Sequence, residues 1–314
     1  MKAKILVGID GSSPSRAAVR WAVTRAAATG CAVTLVQVLD DEWGTIGSEM
    51  LAEVEEGTLR LVDAEADYAR SLIPGVAITI SRLRGDPMIE LAIASLDAEL
   101  VVVGTHKTGF LHGRAFGSRS LQLAASAHSP VAVIPEAFSS AGRGVVVGID
   151  DSSASHAAVA FGADEAERTD QELVLVRAWK LPDLHGDHTR AVSAAEAKQQ
   201  ASADRLMMDA VQTIHATHPA LVVRCRSMRR AAAEALVDAS TTANLLVIGS
   251  SRRHGIEQNA LGSVSHDVLL NLSTPTLIVH GDDQSGLGTK VPVPESNEKY
   301  SGSQLHDVSE RTAS

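Results

Sequence analysis

The chain runs Leu100-Val101-Val102-Val103-Gly104, then a polar loop, then Gly117-Ser118; later it runs Leu245-Leu246-Val247-Ile248-Gly249, another polar loop, then Gly262-Ser263. Both glycine pairs are 13 positions apart, and the two copies lie 145 positions apart. An apolar strand that breaks at glycine and returns as Gly-Ser describes a strand, a flexible loop and a helix start. Unpaired backbone N–H groups and the helix dipole point outward at such a helix start, so each copy reads as a cradle for an anion.

Working outward, the repetition covers most of the chain. Val7-Gly8-Ile9-Asp10-Gly11-Ser12-Ser13 returns as Val147-Gly148-Ile149-Asp150-Asp151-Ser152-Ser153, and Ser129-Pro130-Val131-Ala132-Val133-Ile134 returns as Thr274-Pro275-Thr276-Leu277-Ile278-Val279. The expected domains are 1–138 and 139–282, joined near Ser139-Ser140-Ala141-Gly142, with a polar and disordered tail over 283–314. In the first half, apolar runs predict strands at 4–10, 32–39, 76–83, 100–103 and 131–134. Between them lie a helix capped by Ser12 or Ser13 with Pro14 in its first turn, an amphipathic helix over 46–72, a short helix opened by Asp86-Pro87, and a helix opened by Gly117-Ser118. The second half repeats the order, with strands near 144–150, 173–179, 221–226, 245–248 and 276–279. Nearly all-apolar strands alternating with helices predict an α/β fold. Each of the two repeated doubly wound domains should hold a five-stranded parallel sheet with helices on both faces. Ligands belong at the carboxyl ends of such strands. The last strands, 131–134 and 276–279, would be open edges, and their pairing with each other predicts an internal pseudo-dimer.

Composition narrows the function. A net charge of −10 and an aromatic content of 3% argue against a nucleic-acid binder, which needs basic surface and stacking platforms. No apolar run is long enough to span a bilayer, and the first residues run directly into a strand, which predicts a cytoplasmic protein without membrane association. The two cysteines, Cys31 and Cys225, have no metal or redox spacing and read as buried, reduced thiols.

Asp10 and Asp150 end the first strand of each half, where a carboxylate can accept from a sugar hydroxyl, help to hold a metal, or brace the turn into the next helix. Gly117-Ser118 and Gly262-Ser263 offer close backbone approach and a hydroxyl, and Ser120 and Ser265 add another two residues later. His185-Gly186-Asp187-His188 holds metal-ligand residue types but reads as exposed loop, as do His106 and His112. There is no Walker loop, no paired-carboxylate set and no Ser-His-Asp or Cys-His arrangement, so a dedicated catalyst is not expected.

Over residues 1–282 the chain resembles tandem universal stress proteins. The likeness rests on Val-Gly-Ile-Asp at the end of the first strand, on the Gly-x2-Gly-x9-Gly-Ser/Thr pattern and on the Pro-led last strand. The resemblance implies a stress-response regulatory protein, a homodimer, and ATP or a related adenine nucleotide, alone or with Mg, in one or both domains. By position it assigns Asp10 to the nucleotide, Val38 to the adenine edge, and Gly104, Gly117, Ser118 and Ser120 to ribose and phosphates. The second-half counterparts are Asp150, Ala178, Gly249, Gly262, Ser263 and Ser265. The second glycine of the pattern is Lys107 in one copy and Arg252 in the other, cations that can bind a phosphate directly. The alternative reading is a nucleotide-free stress protein acting through protein–protein contacts.

Overall fold

A computed structural model of the 314-residue chain describes residues 3–40, 48–106, 118–139, 141–181, 189–251 and 261–281, without the side chains of 48–52, 118 and 189–192. The positions expected to form the tail, and Lys107, Gly117, Arg252 and the His185–His188 cluster, lie outside the described residues.

In the first half, the strands are β1 (Lys4–Gly8), β2 (Ala32–Leu39), β3 (Ile78–Arg84), β4 (Leu100–Thr105) and β5 (Val131–Pro135). The helices are α1 (Ser13–Thr29), α2 (Ser48–Leu72), α3 (Pro87–Ala94), which ends in a 3-10 turn at Ser95–Asp97, and α4 (Ser118–Ser126). The second half repeats the order as β6 (Val145–Gly148), α5 (Ser153–Arg168), β7 (Leu173–Trp179), α6 (Thr189–Thr217), β8 (Val223–Arg229), α7 (Ala232–Ser240), β9 (Leu245–Ser250), α8 (Ser263–Leu270) and β10 (Thr276–His280). The third strands begin two residues later than the apolar runs suggest. β3 and β8 are the outermost strands, and their residues are half-buried or exposed.

All ten strands form one sheet in the order β3-β2-β1-β4-β5-β10-β9-β6-β7-β8. Every pairing is parallel except the central one, where β5 and β10 run antiparallel with Val131 opposite Ile278 and Val133 opposite Thr276. The order reads the same from either end in repeat-equivalent strands, so a pseudo-twofold axis passes between β5 and β10 and closes what would have been two open edges. One face of the sheet is covered by α1, α2, α5 and α6 around Val7, Val19, Val33, Leu100, Val147 and Leu277. The other is covered by α3, α4, α7 and α8 around Leu91, Leu123, Val133, Leu236 and Ile278. Burial on both faces is why the central strands are apolar at almost every position.

Near the axis the halves meet through an ion pair between equivalent positions. Arg25 of α1 donates from Nη1 to Glu165 of α5, and Arg168 donates to the same carboxylate. The Arg25 and Glu165 side chains are only 7% and 8% exposed. The Arg25 guanidinium also lies between the rings of Trp21 and Phe161, themselves repeat equivalents, at 5.8 and 5.5 Å from their centroids. A strict copy would have placed like charges opposite each other here.

Cys31 is buried beside Glu99, and burial pushes its thiol above the usual range. Cys225, expected to be buried, is exposed: it lies on edge strand β8, where neighbouring Arg224 and Arg226 are exposed too.

Candidate functional site

Strand β1 leads to β2 on one side, while β4 lies on its other side. At this switch point the crossovers diverge and leave a crevice at the strand ends. The crevice is a cleft of about 210 Å³, lined among others by Asp10, Val38, Met88, Gly104, Arg119 and Ser120.

Its floor is set by the turn from β1 into α1. The Asp10 carboxylate accepts from the Ser12 amide at 2.9 Å and from the Ser12 hydroxyl at 2.6 Å. Ser12 Oγ in turn caps α1 by accepting from the Ser15 amide at 3.3 Å, and the Asp10 amide donates to Ser15 Oγ at 3.3 Å. This closed ring satisfies the first donors of α1. Asp10 thus braces the turn through Oδ1 while lining the cleft. The same ring recurs around Asp150, Ser152 and Ser155, with the Asp150 carboxylate taking the Ser152 amide at 2.9 Å and hydroxyl at 2.5 Å.

The strand-ending glycine has a packing reason. A Cβ on Gly104 would stand 2.1 Å from the Pro14 carbonyl oxygen, and one on Gly249 would stand 2.3 Å from that of Ala154. The first turn of α1 or α5 therefore rests directly on the strand, and only glycine permits it. Val38, half-buried at the end of β2, forms the apolar side of the cleft. Met88 and Leu91 of α3 add to that apolar surface. Asp86 fixes that helix by accepting from the Met88 and Ile89 amides at 2.8 and 2.9 Å.

At the far wall, α4 brings Ser120, 9% exposed, and Arg119. Arg119 Nη2 lies 3.9 Å from Asp40 Oδ2, which spans the cleft between the start of α4 and the end of β2. Among the described lining residues Arg119 is the one Lys or Arg. Sequence reasoning passed over it. Its position directly after Gly117-Ser118, where a side chain on the first turn of a helix faces the cradle, was the available signal. His106, on the loop after β4, is 64% exposed with Nδ1 3.5 Å from Glu136 Oε2, and Glu136 also accepts from Ser13 Oγ at 2.5 Å.

The corresponding second-half cleft is about 100 Å³ and is lined by Asp150, Arg177, Ala178, Leu236, Gly249 and Val264, among others. Arg177 bends over it, donating to the Ile149 carbonyl at 3.2 Å and the Asp151 carboxylate at 3.4 Å. Ser265 is 2% exposed and donates to the Gly249 carbonyl at 3.3 Å, and it does not line this cleft. Gly262 caps α8 in an extended conformation with open space around it, and Ser263 is exposed. Of the sequence-predicted residues, Asp10, Val38, Gly104 and Ser120 line the first cleft and Asp150, Ala178 and Gly249 the second, with more room in the first. Among the described residues no three His, Cys, Asp or Glu side chains gather as a metal site. Nor, among them, is any helix long and apolar enough to cross a membrane.

Two repeated α/β units, each with a strand-end cleft between a capped turn and a helix start, define a tandem doubly wound protein. The universal stress protein family model matches residues 1–135 and again 143–280, and the chain belongs to that family. A universal stress protein of Mycobacterium tuberculosis is 30% identical over 292 residues, covering 87% of this chain and 95% of that protein. One from Mycolicibacterium smegmatis is 30% identical over 286 residues, covering 88% and 96%. The crystal structure of a universal stress protein from Archaeoglobus fulgidus shares the fold with a TM-score of 0.68 at 16% identity, covering 88% of this chain and 98% of that one.

Proposed function

We propose that this stress protein is a regulatory module that binds ATP or a related adenine nucleotide in its first domain, without turning it over as a dedicated catalyst. The observation that carries this reading is the 210 Å³ cleft, where an apolar wall from Val38 and Met88 faces a hydroxyl, a helix start and a cation. The base lies along Val38, and the sugar hydroxyls are held by Asp10. The phosphates meet the start of α4, with Gly104, Ser118, Ser120 and Arg119 around them. A guanidinium matches phosphate geometry and remains charged at any physiological pH. Magnesium would arrive with the phosphates, which supply most of its oxygen ligands in sites of this kind.

The second domain is read differently. Its cleft is about 100 Å³ and holds Arg177, which favours a half that is nucleotide-free and regulatory through its surfaces. Both cysteines are unpaired, which fits a reducing cytoplasm. The open edges β3 and β8 are where two chains would associate, a step that sedimentation of the full chain tests.

The nucleotide reading is tested by calorimetry of the full chain with ATP, paired with mass spectrometry of the freshly purified, denatured protein. One ATP per chain is expected. Asp10→Asn, which keeps an acceptor for Ser12, is expected to weaken binding while leaving the fold intact. No co-purified adenine nucleotide and no heat at millimolar ATP would overturn it.

A further inference from the structure

On the opposite side of the second-half turn, α5 and α6 part to form a groove of about 450 Å³. Its bed is apolar: Val159 and Ala163 from α5, with Leu206, Ala210 and Ile214 from α6. It is larger than the strand-end cleft of the second half, and it lies within the range that small-molecule sites occupy.

The first half shows why the groove exists. At the equivalent positions α1 and α2 carry Arg16, Glu65 and Tyr68, where the second half has His156, Ala210 and Thr213. Arg16 Nε donates to Glu65 Oε1 at 2.7 Å, and its guanidinium lies over the Tyr68 ring at 5.5 Å. That cluster occupies the space between α1 and α2. Two of its three members are cut to Ala and Thr in the second half, and the space between α5 and α6 opens.

The rim has a definite charge. The described lining includes three carboxylates, Asp150, Asp164 and Asp209, and two histidines, but no Lys or Arg. Asp164 accepts from His218 Nε2 at 2.9 Å, and Glu167 lies 3.6 Å from the same nitrogen. The Asp209 carboxylate has no hydrogen-bond partner among the described residues and is exposed at the mouth. An apolar bed under an acidic rim favours a ligand with an apolar body and a cationic head, and an anionic head would be repelled.

We propose that the α5–α6 groove is a binding site for a small amphipathic primary amine, its apolar body between Val159, Ala163 and Ile214 and its ammonium against Asp209 and Asp164. The site is separate from the nucleotide cleft of the first domain. It touches the second cleft, because Ile149, Asp150 and Ser155 line both. An occupant would therefore rest against the turn that heads α5.

The test uses the full chain and three probes of equal length: n-octylammonium, 1-octanol and octanoate, each below its aggregation limit, followed by calorimetry and by methyl NMR of Val159 and Ile214. Saturable binding of octylammonium is expected, ~10-fold tighter than octanol because of the charge-assisted contact, with octanoate weakest. Asp164→Asn with Asp209→Asn should bring the amine to the level of the alcohol. Rebuilding the first-half cluster with His156→Arg, Ala210→Glu and Thr213→Tyr should abolish binding. Should that triple variant misfold, the single Thr213→Tyr at an exposed position serves instead and should weaken the amine ~10-fold or more. Absence of saturable binding, equal affinity for all three probes, or undiminished binding after the groove is filled would each overturn the proposal.

Discussion

The two halves are the same fold written twice, yet they keep different concavities. In the first half the strand-end cleft is about 210 Å³ and carries Arg119 at the start of α4, while Gln37 stands at the end of β2. In the second half the matching positions hold Val264 and Arg177, and the cleft is about 100 Å³. A cation has in effect moved from the helix start, where it faces the cradle, to the strand end, where it folds across the cavity onto Ile149 and Asp151. On the other face the contrast reverses. The first half fills the space between its helices with Arg16, Glu65 and Tyr68, and the second leaves a groove. Duplication kept the backbone, and a few side-chain exchanges decided which hollow each copy retained.

The largest difference between the halves is at the axis that joins them. Arg25 and Glu165 are equivalent residues of opposite charge, both buried and in contact. Glu165→Ala leaves Arg25 without a partner in a low-dielectric layer and should lower unfolding stability by about 3–5 kcal/mol. The double replacement Arg25→Met with Glu165→Leu should recover most of that, because matched apolar groups need no partner. Arg168, the other donor to Glu165, is 23% exposed and can turn to water. Urea unfolding followed by circular dichroism measures both. A loss below about 1 kcal/mol for Glu165→Ala would mean that the charge asymmetry does not hold the halves together.

The second effect lies in the clefts. Arg119→Ala should weaken ATP in the first domain by ~10-fold or more, the usual scale of one charge-assisted contact. The reciprocal change, Arg177→Gln with Val264→Arg, gives the second cleft the first-half residues and should raise the calorimetric stoichiometry from one ATP per chain toward two. Unchanged affinity after Arg119→Ala would break the contrast. An unchanged stoichiometry in the reciprocal variant would show that α7 and β7, not these two side chains, close the second cleft.

Much of this is legible in the sequence. Val-Gly-Ile-Asp and the paired glycines fix the strands and the duplication, because buried parallel strands and helix starts leave strong local patterns. What was not legible depends on who stands opposite whom. Gly104 reads in the sequence as a glycine kept for a phosphate, and its other reason, the close approach of the Pro14 carbonyl, shows only in the fold. Cys225 reads as buried until strand order places β8 at the edge. Ser265 matches Ser120 in sequence, but it turns inward onto Gly249. The α5–α6 groove left no motif at all, since it consists of missing bulk. Arg25 and Glu165 are 140 positions apart and meet only because β5 and β10 pair.

The smallest contrast is at the helices that wall the two clefts. Asp86 accepts two amides at the start of α3, with Pro87 next. Its counterpart Ala231 caps α7 with no side-chain bond. The backbones are already alike, with φ −66°, ψ 123° at Asp86 and φ −60°, ψ 138° at Ala231. Ala231→Asp therefore meets a geometry that needs no rearrangement, and its carboxylate also sits favourably at the positive end of the helix. The expected gain is about 1 kcal/mol, seen as a rise of roughly 2–4 °C in thermal midpoint, and Asp86→Ala should lose a similar amount. Arg230, beside the new carboxylate, already pairs with Asp238 and lies 3.9 Å from Glu234. Were Ala231→Asp to give nothing, competition from Arg230 would have drawn the carboxylate off the amides, and the further change Arg230→Gly, which restores the first-half residue, should then release the gain.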